Sequence, residues 1–328
     1  MRFRSIYNYD MKVPGLYDIR EAHKRIKPFI HITPVMSSRQ ISNIFGCELF
    51  FKCENFQKVG AFKFRGATNA VQLLTPDEKR RGVVTHSSGN HAAALALAAS
   101  DAGVKAMVVM PSNAPEVKKN AVRGYGAEIT FCEPTQAARE STTRDIIART
   151  GALLIHPYDN FNVICGQGTA ALELLEEVPS LDCIMAPVGG GGLLSGTLTA
   201  ARAVNPKIKV FGAEPLNAND AFLSFTSGVI HPAKPPSTIA DGLLTSLSEL
   251  TFTIIRKNAD DILTVTEESI IECMKLIWER MKIIIEPSSA VALAAVREHN
   301  ELFRGLKTGI ILSGGNVELS KLPFTRAS

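Results

Sequence analysis

A single lysine, Lys63, lies in a setting that could turn its amine into a reactive group. It is flanked by Phe62 and Phe64 and is followed by a stretch with a helical pattern. Apolar neighbours remove water from an amine, and desolvation lowers its pKa, so that the amine can form an imine or accept a proton. For such a segment taken alone, a solvated lysine at a helix start is the more frequent outcome. Lys63 is therefore a candidate that needs support from the rest of the chain.

A second polar segment, residues 85–91, follows a short Val-rich run and precedes an alanine-rich helical stretch. Its sequence, Thr-His-Ser-Ser-Gly-Asn-His, gathers Ser87, Ser88, Asn90 and His91 around a glycine that permits a tight turn. The amides that open a helix bind carboxylate or phosphate groups. A helix N-cap would explain one Ser or Asn, whereas a whole run of polar residues favours an anion site.

Four consecutive glycines, Gly189, Gly190, Gly191 and Gly192, separate a buried-strand pattern from a helical one. Such a run is unfavourable in backbone entropy, and it makes sense where amides must wrap a phosphate. No lysine follows in Walker A spacing, and no G-x-G-x-x-G register fits. The sequence thus predicts a phosphate that belongs neither to a Walker-type nucleotide nor to a dinucleotide.

Two further segments follow predicted strands. Ser313 would place a neutral hydroxyl at a strand end, although a Ser/Gly turn explains the same residues. Glu214 and Asp220, with a free carbonyl such as that of Ala218 between them, suit Mg²⁺ or Ca²⁺. Acidic residues that cap a helix would leave the same pattern, so both interpretations stay open.

The elements that must position these residues alternate along the chain. Short Val/Ile/Leu-rich runs predict strands, and the stretches between them predict helices. Near-continuous apolar strands are typical of parallel sheets with helices on both faces. The predicted strands are 48–52, 82–85, 106–110, 128–132, 153–155, 183–187, 209–213 and 308–312, and the predicted helices are 89–101, 114–125, 136–150, 168–178, 192–203, 267–281 and 288–300.

Composition places the chain among ordinary globular proteins. It has 328 residues, of which 45% are hydrophobic and 21% charged, and a formal net charge of +4. The length suggests about two domains, and so mild a charge gives no reason to expect nucleic acid. The six cysteines lack metal-ligand spacing, which favours reduced thiols and a cytoplasmic location. No apolar run approaches the ~18 residues of a membrane span, so no membrane partner is expected.

In this order and spacing, the segments resemble the fold-type II pyridoxal-phosphate (PLP) enzymes. Among these enzymes, the chain resembles the family of the serine racemases and serine/threonine dehydratases, including 3-hydroxyaspartate ammonia-lyases. The resemblance implies an α/β, tryptophan-synthase-beta-like fold with two open, twisted, mostly parallel sheets and helices on both faces. It also implies a large PLP-binding domain of residues 1–76 and 160–328, with a small mobile domain of residues 77–159 inserted into it.

The resemblance assigns a role in cofactor binding to the motifs already described. Lys63 would hold PLP as an imine, and Phe62 would pack against its ring. Asn90 would bond the ring hydroxyl, and Ser313 the pyridine nitrogen. The glycines at 189–192 would cradle the phosphate.

The resemblance also assigns the metal site and the assembly. Glu214, Asp220 and the Ala218 carbonyl match the family's divalent-metal motif, although Asn219 stands where a second Asp is common. A homodimer is expected, and ATP could act as an effector, since some members bind it between subunits.

For the substrate, the resemblance places Ser87, Ser88, Asn90 and His91 around its carboxylate. The predicted reaction is β-elimination of water from small hydroxy amino acids such as L-serine, giving a 2-keto acid and ammonia. Ser88 could supply the second acid/base that racemisation of serine needs, because many plain threonine dehydratases carry Ala there.

Three alternatives to this reaction remain open. Arg139 could clamp a second carboxylate, which would fit L-threo-3-hydroxyaspartate, although a surface arginine explains the residue equally well. A catabolic threonine dehydratase is the second alternative. The third, from a different class, is an amino-acid-sensing binding protein, against which the intact Lys63 argues.

Overall fold

The computed structural model describes residues 12–87, 89–233 and 237–324. Strands and helices alternate along most of this chain. The strands are β1 (Val35–Ser37), β2 (Glu48–Cys53), β3 (Val83–His86), β4 (Ala106–Pro111), β5 (Glu128–Cys132), β6 (Leu153–Leu154), β7 (Cys183–Pro187), β8 (Lys209–Pro215), β9 (Asp261–Val265) and β10 (Lys307–Leu312). The helices are α1 (Leu16–Ile26), α2 (Arg39–Phe45), α3 (Lys63–Gln72), α4 (Pro76–Arg81), α5 (Asn90–Asp101), α6 (Glu116–Gly124), α7 (Gln136–Thr150), α8 (Phe161–Glu177), α9 (Gly192–Val204), α10 (Asp220–Ser227), α11 (Glu249–Asn258), α12 (Glu267–Met281) and α13 (Pro287–Glu298).

The strands form two separate sheets. The larger has six strands in the order β1-β2-β10-β7-β8-β9, and the smaller has four in the order β5-β4-β3-β6. Every neighbouring pair is parallel except β1 and β2, which run antiparallel. Two open, mostly parallel sheets confirm the predicted fold class.

Helices cover both faces of the larger sheet. On one face, α2, α12 and α13 pack against residues such as Phe51 and Ile310. On the other, α1, α8, α9 and α11 pack against residues such as Ile184 and Val210. Strands that are buried on both sides must be apolar throughout, which is why these strands read as continuous Val/Ile/Leu runs.

The smaller sheet has its own apolar layers. Helices α3, α5 and α6 cover one face, where Val108 and Met110 are buried. Helix α7 covers the other through Ile146, which packs with Val84 and Val109. These four strands lie inside the range predicted for the small domain, 77–159, and the domain boundaries and the mobility of that domain stay predictions.

The strand and helix predictions differ from the structure at several elements. Strands β1 and β9, which are three and five residues long and lie at the two edges of the larger sheet, were not predicted. Helix α8 begins at residue 161 rather than 168, since Asn160 caps it by accepting a hydrogen bond from the Val163 amide. Helices α1, α2, α4, α10 and α11 were also not predicted.

Helix α3 lies at the junction of the two halves of the fold. It packs against α8 beside the larger sheet and against α5 beside the smaller one. Close approach to α8 depends on glycine, because a Cβ added at Gly66 would lie 2.7 Å from the Val163 carbonyl oxygen. The first residue of this helix, Lys63, therefore stands between the two sheets. None of the described helices is both long and apolar enough to cross a bilayer.

Candidate active site

A cavity of about 380 Å³ opens between the two sheets, where the carboxyl ends of three strands meet. The end of β3 and the turn that follows it contribute residues 86, 87 and 89–91 to the cavity wall. The chain after β7 contributes residues 189–192, and the chain after β10 contributes Ser313 and Asn316. The start of α3 adds Phe62 and Lys63. Ligands bind in such crevices at the carboxyl ends of parallel strands, so the four separate motifs converge on one site.

The Lys63 amine lies inside this cavity. Its Nζ donates to the Pro157 carbonyl oxygen at 2.9 Å and lies 5.0 Å from the centre of the Phe62 ring. Burial lowers the pKa of Lys63 to about 8, and the Glu286 carboxylate opposes that change. An amine with such a pKa is partly unprotonated near neutral pH, which is the state that attacks an aldehyde or accepts a proton.

The glycine run forms a cradle that side chains would fill. A Cβ at Gly190 would lie 2.3 Å from the Tyr158 ring, and one at Gly191 would lie 2.8 Å from the Leu247 side chain. Gly191 also has a φ of +86°, which favours glycine. Helix α9 begins at Gly192 without a side-chain cap from the described residues, so its first amides could bind an anion in the cavity.

The turn after β3 brings Ser87, Asn90 and His91 to the same cavity, whereas Ser88 lies outside the described residues. His91 Nε2 lies 3.0 Å from the Ile155 carbonyl oxygen, which can only accept, so Nε2 carries the hydrogen. Burial lowers the pKa of His91 to about 3, and the imidazole is neutral. Its side chain thus offers a lone pair at Nδ1, and any hydrogen bond from His91 to a carboxylate must come from its backbone N–H.

Ser313 and Phe62 are tied together at the base of the cavity. The Phe62 amide donates to the Ser313 carbonyl oxygen at 3.0 Å, and Ser313 is almost fully buried. The structure therefore brings both predicted ring contacts beside Lys63.

Arg139 also reaches the cavity, from helix α7 of the smaller half. Its Nε is buried and has no hydrogen-bond partner among the described residues. Beside it stand His86, His156 and Tyr158, whose rings meet edge to face at 5.2 and 4.6 Å. Burial lowers the pKa of both histidines, that of His156 to about 3, so Arg139 is the charged member of this wall.

The predicted metal ligands lie apart from the cavity, at the end of β8 and the start of α10. Glu214 is fully buried, and its two oxygens accept from the Ala221 and Phe222 amides at 3.0 and 2.9 Å. Asp220 Oδ2 is buried without a partner among the described residues. Burial raises the pKa of Glu214 to about 8 and that of Asp220 to about 6. Ala218 ends the short turn between them, and the described ranges contain no group of three or more His, Cys, Asp or Glu placed to hold an ion.

A buried ion network behind Lys63 was not predicted. Arg65, fully buried, donates to Glu54 at 2.7 and 2.9 Å and to Glu173 at 2.7 and 2.8 Å. Lys52, also fully buried, lies 2.7 Å from Glu173. Burial alone would lower the pKa of Arg65, but the two carboxylates raise it above its usual range. Only the fold unites these charges, because Glu173 lies 108 residues from Arg65 in the sequence.

Comparison with known proteins gives a consistent result. A family model described as pyridoxal-phosphate dependent enzyme matches residues 26–314. The chain is 56% identical to the serine racemase of Dictyostelium discoideum over 316 residues, covering 95% of this chain and 98% of that protein. A crystal structure of that racemase has a TM-score of 0.90 at 55% identity and covers 93% of this chain and 99% of its own.

Two further relatives are named for a different substrate, 3-hydroxyaspartate. The chain is 48% identical to the beta-hydroxyaspartate dehydratase of Paracoccus denitrificans, covering 96% of this chain and all of that protein. It is also 48% identical to the L-threo-3-hydroxyaspartate ammonia-lyase of Saccharomyces cerevisiae, covering 95% and 96%. With the family model matching most of its length, the chain is a member of the pyridoxal-phosphate dependent enzymes.

Proposed function

We propose that this enzyme eliminates water from small hydroxy amino acids, L-serine foremost, to give a 2-keto acid and ammonia. The observation that carries the proposal is the position of the Lys63 amine. It lies in the same cavity as the glycines at 189–192, and burial lowers its pKa to about 8. Serine racemases and hydroxyaspartate-converting enzymes among the relatives support this substrate class. Membership of an enzyme family argues against the amino-acid-sensing alternative.

The residues present fit PLP. Lys63 would hold it covalently, the amides at 189–192 would bind its phosphate, and Asn90 and Ser313 would bond its ring hydroxyl and ring nitrogen beside Phe62. The fit is supported by the space at Gly190, which a Cβ would fill, and by the uncapped start of α9. Bound PLP supplies an electron sink for the negative charge that remains when an α-proton is removed.

The chain's own groups would perform the proton transfer and the positioning. Lys63 Nζ would accept the substrate's α-proton, and the Pro157 carbonyl oxygen would then hold the resulting ammonium in place. The substrate carboxylate would bind at the start of α5 through Ser87, Asn90 and the His91 amide. Ser313 offers a neutral hydroxyl rather than a carboxylate, which would leave the sink weak and favour rapid loss of the β-hydroxyl. The hydroxyl would take up a proton and leave as water, and a water molecule would then hydrolyse the released enamine to the 2-keto acid and ammonia.

The test is a substrate panel with purified, PLP-supplemented protein. L-serine, D-serine, L-threonine and the 3-hydroxyaspartate isomers are compared by 2-keto acid release. Borohydride reduction followed by peptide mass spectrometry then checks whether the cofactor is attached to Lys63. Absence of an adduct at that residue, or keto acid release that survives Lys63→Ala, contradicts the proposal.

Racemisation of serine is proposed as a second activity, with Ser88 as the acid/base on the face opposite Lys63. Chiral analysis of L-serine incubations tests it. D-serine should form alongside pyruvate and should be lost in Ser88→Ala while pyruvate release continues. Pyruvate without any D-serine from the wild-type enzyme would contradict this activity.

Hydroxyaspartate is a second candidate substrate because Arg139 presents a buried Nε with no partner in the described chain. A guanidinium of this kind can clamp the β-carboxylate of an acidic substrate. We expect Arg139→Ala to reduce kcat/KM for L-threo-3-hydroxyaspartate by about 10- to 100-fold, as for a lost charged hydrogen bond. L-serine turnover serves as the control, and equal turnover of the acidic substrate by wild type and variant would rule out this role.

A divalent cation is proposed at Glu214, Asp220 and the Ala218 carbonyl. Support comes from Asp220 Oδ2, a buried carboxylate oxygen without a partner among the described residues, since hard cations take such oxygens. Addition of Mg²⁺ or Ca²⁺ to chelator-treated enzyme should raise its Tm, and Asp220→Asn should abolish that rise. An equal rise in the variant would place the effect elsewhere.

The smaller half, residues 77–159, is proposed to close over the substrate. A homodimer, a cytoplasmic location and a response to ATP are further predictions, and they rest on the family resemblance.

A further inference from the structure

Glu286 is a buried carboxylate that lines the proposed active site and that the proposed reaction does not use. It directly precedes α13, is 4% exposed and faces the same cavity as Lys63. The loop after β10 makes room for it, because a Cβ at Gly314 would lie 2.9 Å from Glu286 Oε1. A carboxylate taken out of water in this way needs compensation or a use.

The hydrogen-bond donors that reach Glu286 are neutral. Asn90 Nδ2 lies 3.0 and 3.1 Å from its two oxygens, and the Asn316 amide donates to Oε2 at 3.2 Å. Neutral donors satisfy the lone pairs but leave the negative charge uncancelled. Glu286 differs in this respect from the carboxylates that bind Arg65.

These contacts fix the orientation of the Asn90 amide. Its Nδ2 faces the carboxylate, and its Oδ1 accepts from Asn316 Nδ2 at 2.9 Å. Asn316 is held in turn by the Val59 carbonyl oxygen, to which it donates at 2.8 Å. One shared N–H can serve both Glu286 oxygens, which leaves the second N–H of Asn90 for a ligand in the cavity.

Four other charged groups line the same cavity as Glu286. They are Lys63 at the start of α3, Lys118 on α6, Arg139 on α7 and Asp241 in the short turn that packs beside α13, and Lys118 and Asp241 form an ion pair with each other. Burial raises the pKa of Glu286 to about 7, while the Asn90 bond lowers it. Among the described residues, Lys63 and Arg139 are the cations of this cavity without an ion pair, and Glu286 raises the pKa of Lys63 against the effect of burial.

We propose that Glu286 is a positioning residue, whose carboxylate fixes the Asn90 amide and favours a proton on the nitrogen of Lys63. The inference rests on the proposed covalent role of Lys63. Opposite charges separated by low-dielectric protein stabilise each other's charged form. Glu286 would therefore offset part of the burial effect and keep the Lys63 nitrogen able to hold the proton that it has removed.

The experiment titrates that nitrogen directly. In full-length protein freed of cofactor, the rate at which an amine reagent labels Lys63 is followed against pH by peptide mass spectrometry. The wild-type midpoint is expected near 8, and Glu286→Gln should lower it by about 1 pH unit, since an opposite charge has been removed. The holoenzyme gives a second readout, because the pH midpoint of its visible absorbance should move in the same direction.

Three matched variants separate charge from structure. Glu286→Asp keeps the charge and should titrate close to wild type. Asn316→Ala frees the Asn90 amide but keeps the charge, so it should weaken PLP binding several-fold without moving the Lys63 midpoint. Glu268→Gln removes an equal charge from an exposed site and should change neither quantity.

The proposal is overturned if folded Glu286→Gln protein titrates like wild type, or if Glu286→Asp moves the midpoint as far as the glutamine variant does. Should the glutamine variant not fold, Asn316→Ala decides, because a Lys63 midpoint lowered in that variant contradicts a charge effect. A missing adduct at Lys63 in wild-type holoenzyme would instead contradict the proposed function, and the cofactor-free titration would still report on Glu286.

Discussion

Two cations on the same helix have opposite surroundings. Lys63 and Arg65 are two residues apart at the start of α3, but Arg65 is fully buried, whereas Lys63 is half-buried at the wall of the cavity. Arg65 forms ion pairs with Glu54 and Glu173, and its pKa lies above its usual range. Lys63 donates to a neutral carbonyl oxygen, and burial lowers its pKa to about 8.

The difference shows how one helix can serve structure and chemistry together. A charge whose hydrogen bonds are all made by protein partners is fixed in place, and its removal leaves other charges unpaired. A charge with one weak partner keeps capacity for a ligand and for a change of protonation state. Arg139 Nε and His91 Nδ1, which lack partners within the part of the chain that the structure describes, follow the same pattern as Lys63.

The largest expected effect is at Lys63. Lys63→Ala should reduce turnover by about 10⁴-fold or more, because one amine provides both the covalent attachment and the base. The free energy of unfolding should change little, since within the described ranges the amine makes one hydrogen bond, to the Pro157 carbonyl oxygen. Steady-state kinetics measure the loss of turnover, and a urea titration of the same preparation measures the free energy of unfolding. A variant that loses stability and activity together would remove the contrast with Arg65.

Arg65 should show the reverse. Arg65→Met should lower the free energy of unfolding by about 3–5 kcal/mol, because Glu54 and Glu173 would then be buried beside an uncharged side chain. The matched variant, Arg65→Lys, keeps the charge but loses the forked geometry of the guanidinium. Its free energy of unfolding should lie between those of the wild type and Arg65→Met. Urea unfolding monitored by circular dichroism measures the change. A loss below about 1 kcal/mol would show that the network is not a structural anchor.

The cradle is expected to be the next most sensitive region. Gly190→Ala should weaken PLP binding by about 10- to 100-fold, since an added Cβ would meet the Tyr158 ring and such overpacking costs about 1–3 kcal/mol. Gly124→Ala is the control, because a Cβ there meets nothing within 4 Å. Fluorescence titration with PLP measures both, and equal affinities would show that the loop adapts to a methyl group.

The pH dependence of PLP binding by cofactor-free protein tests whether Lys63, unlike Arg65, changes its protonation state near neutral pH. A lowered pKa means that the neutral amine of Lys63 prevails above about pH 8. Capture by cofactor-free protein should therefore rise with pH, by about tenfold per unit below the midpoint, and level off above it. Free Nα-acetyl-lysine provides the reference, with its ordinary pKa of about 10.4. Stopped-flow absorbance gives the rates, and a rise that continues to pH 10 would contradict the assignment.

The smallest effect is expected at an exposed ion pair. Lys105, which directly precedes β4, and Glu128, the first residue of β5, approach to 2.9 Å with more than half of each side chain exposed. Lys105→Ala should change the free energy of unfolding by less than about 1 kcal/mol, because water screens the pair. The same urea titration serves, and a loss as large as that of Arg65→Met would mean that burial is not what separates the two pairs.

The sequence predicted the residues that line the candidate site, but it did not predict the buried charged residues around them. Lys63, Asn90, the glycines at 189–192 and Ser313 all line one cavity, and each lies where a predicted strand ends or a predicted helix begins. Tight turns and phosphate cradles need particular residue types at consecutive positions, so they leave a local pattern. The catalytic and binding roles of these residues stay predictions.

The Arg65 network left no such pattern. Glu54, Arg65 and Glu173 are scattered along the chain, and each alone has the appearance of an ordinary surface charge.

The sequence by itself determined the alternation of strands and helices, because burial on both faces requires continuous apolar runs, and it determined the turn residues that converge on the cavity. Only the tertiary structure decided which buried charges are paired and which are left free, and hence that Arg65 is an anchor while Lys63 keeps a pKa of about 8. The physical reason is that a pKa depends on desolvation and on charges a few ångströms away, and those neighbours come from distant parts of the chain.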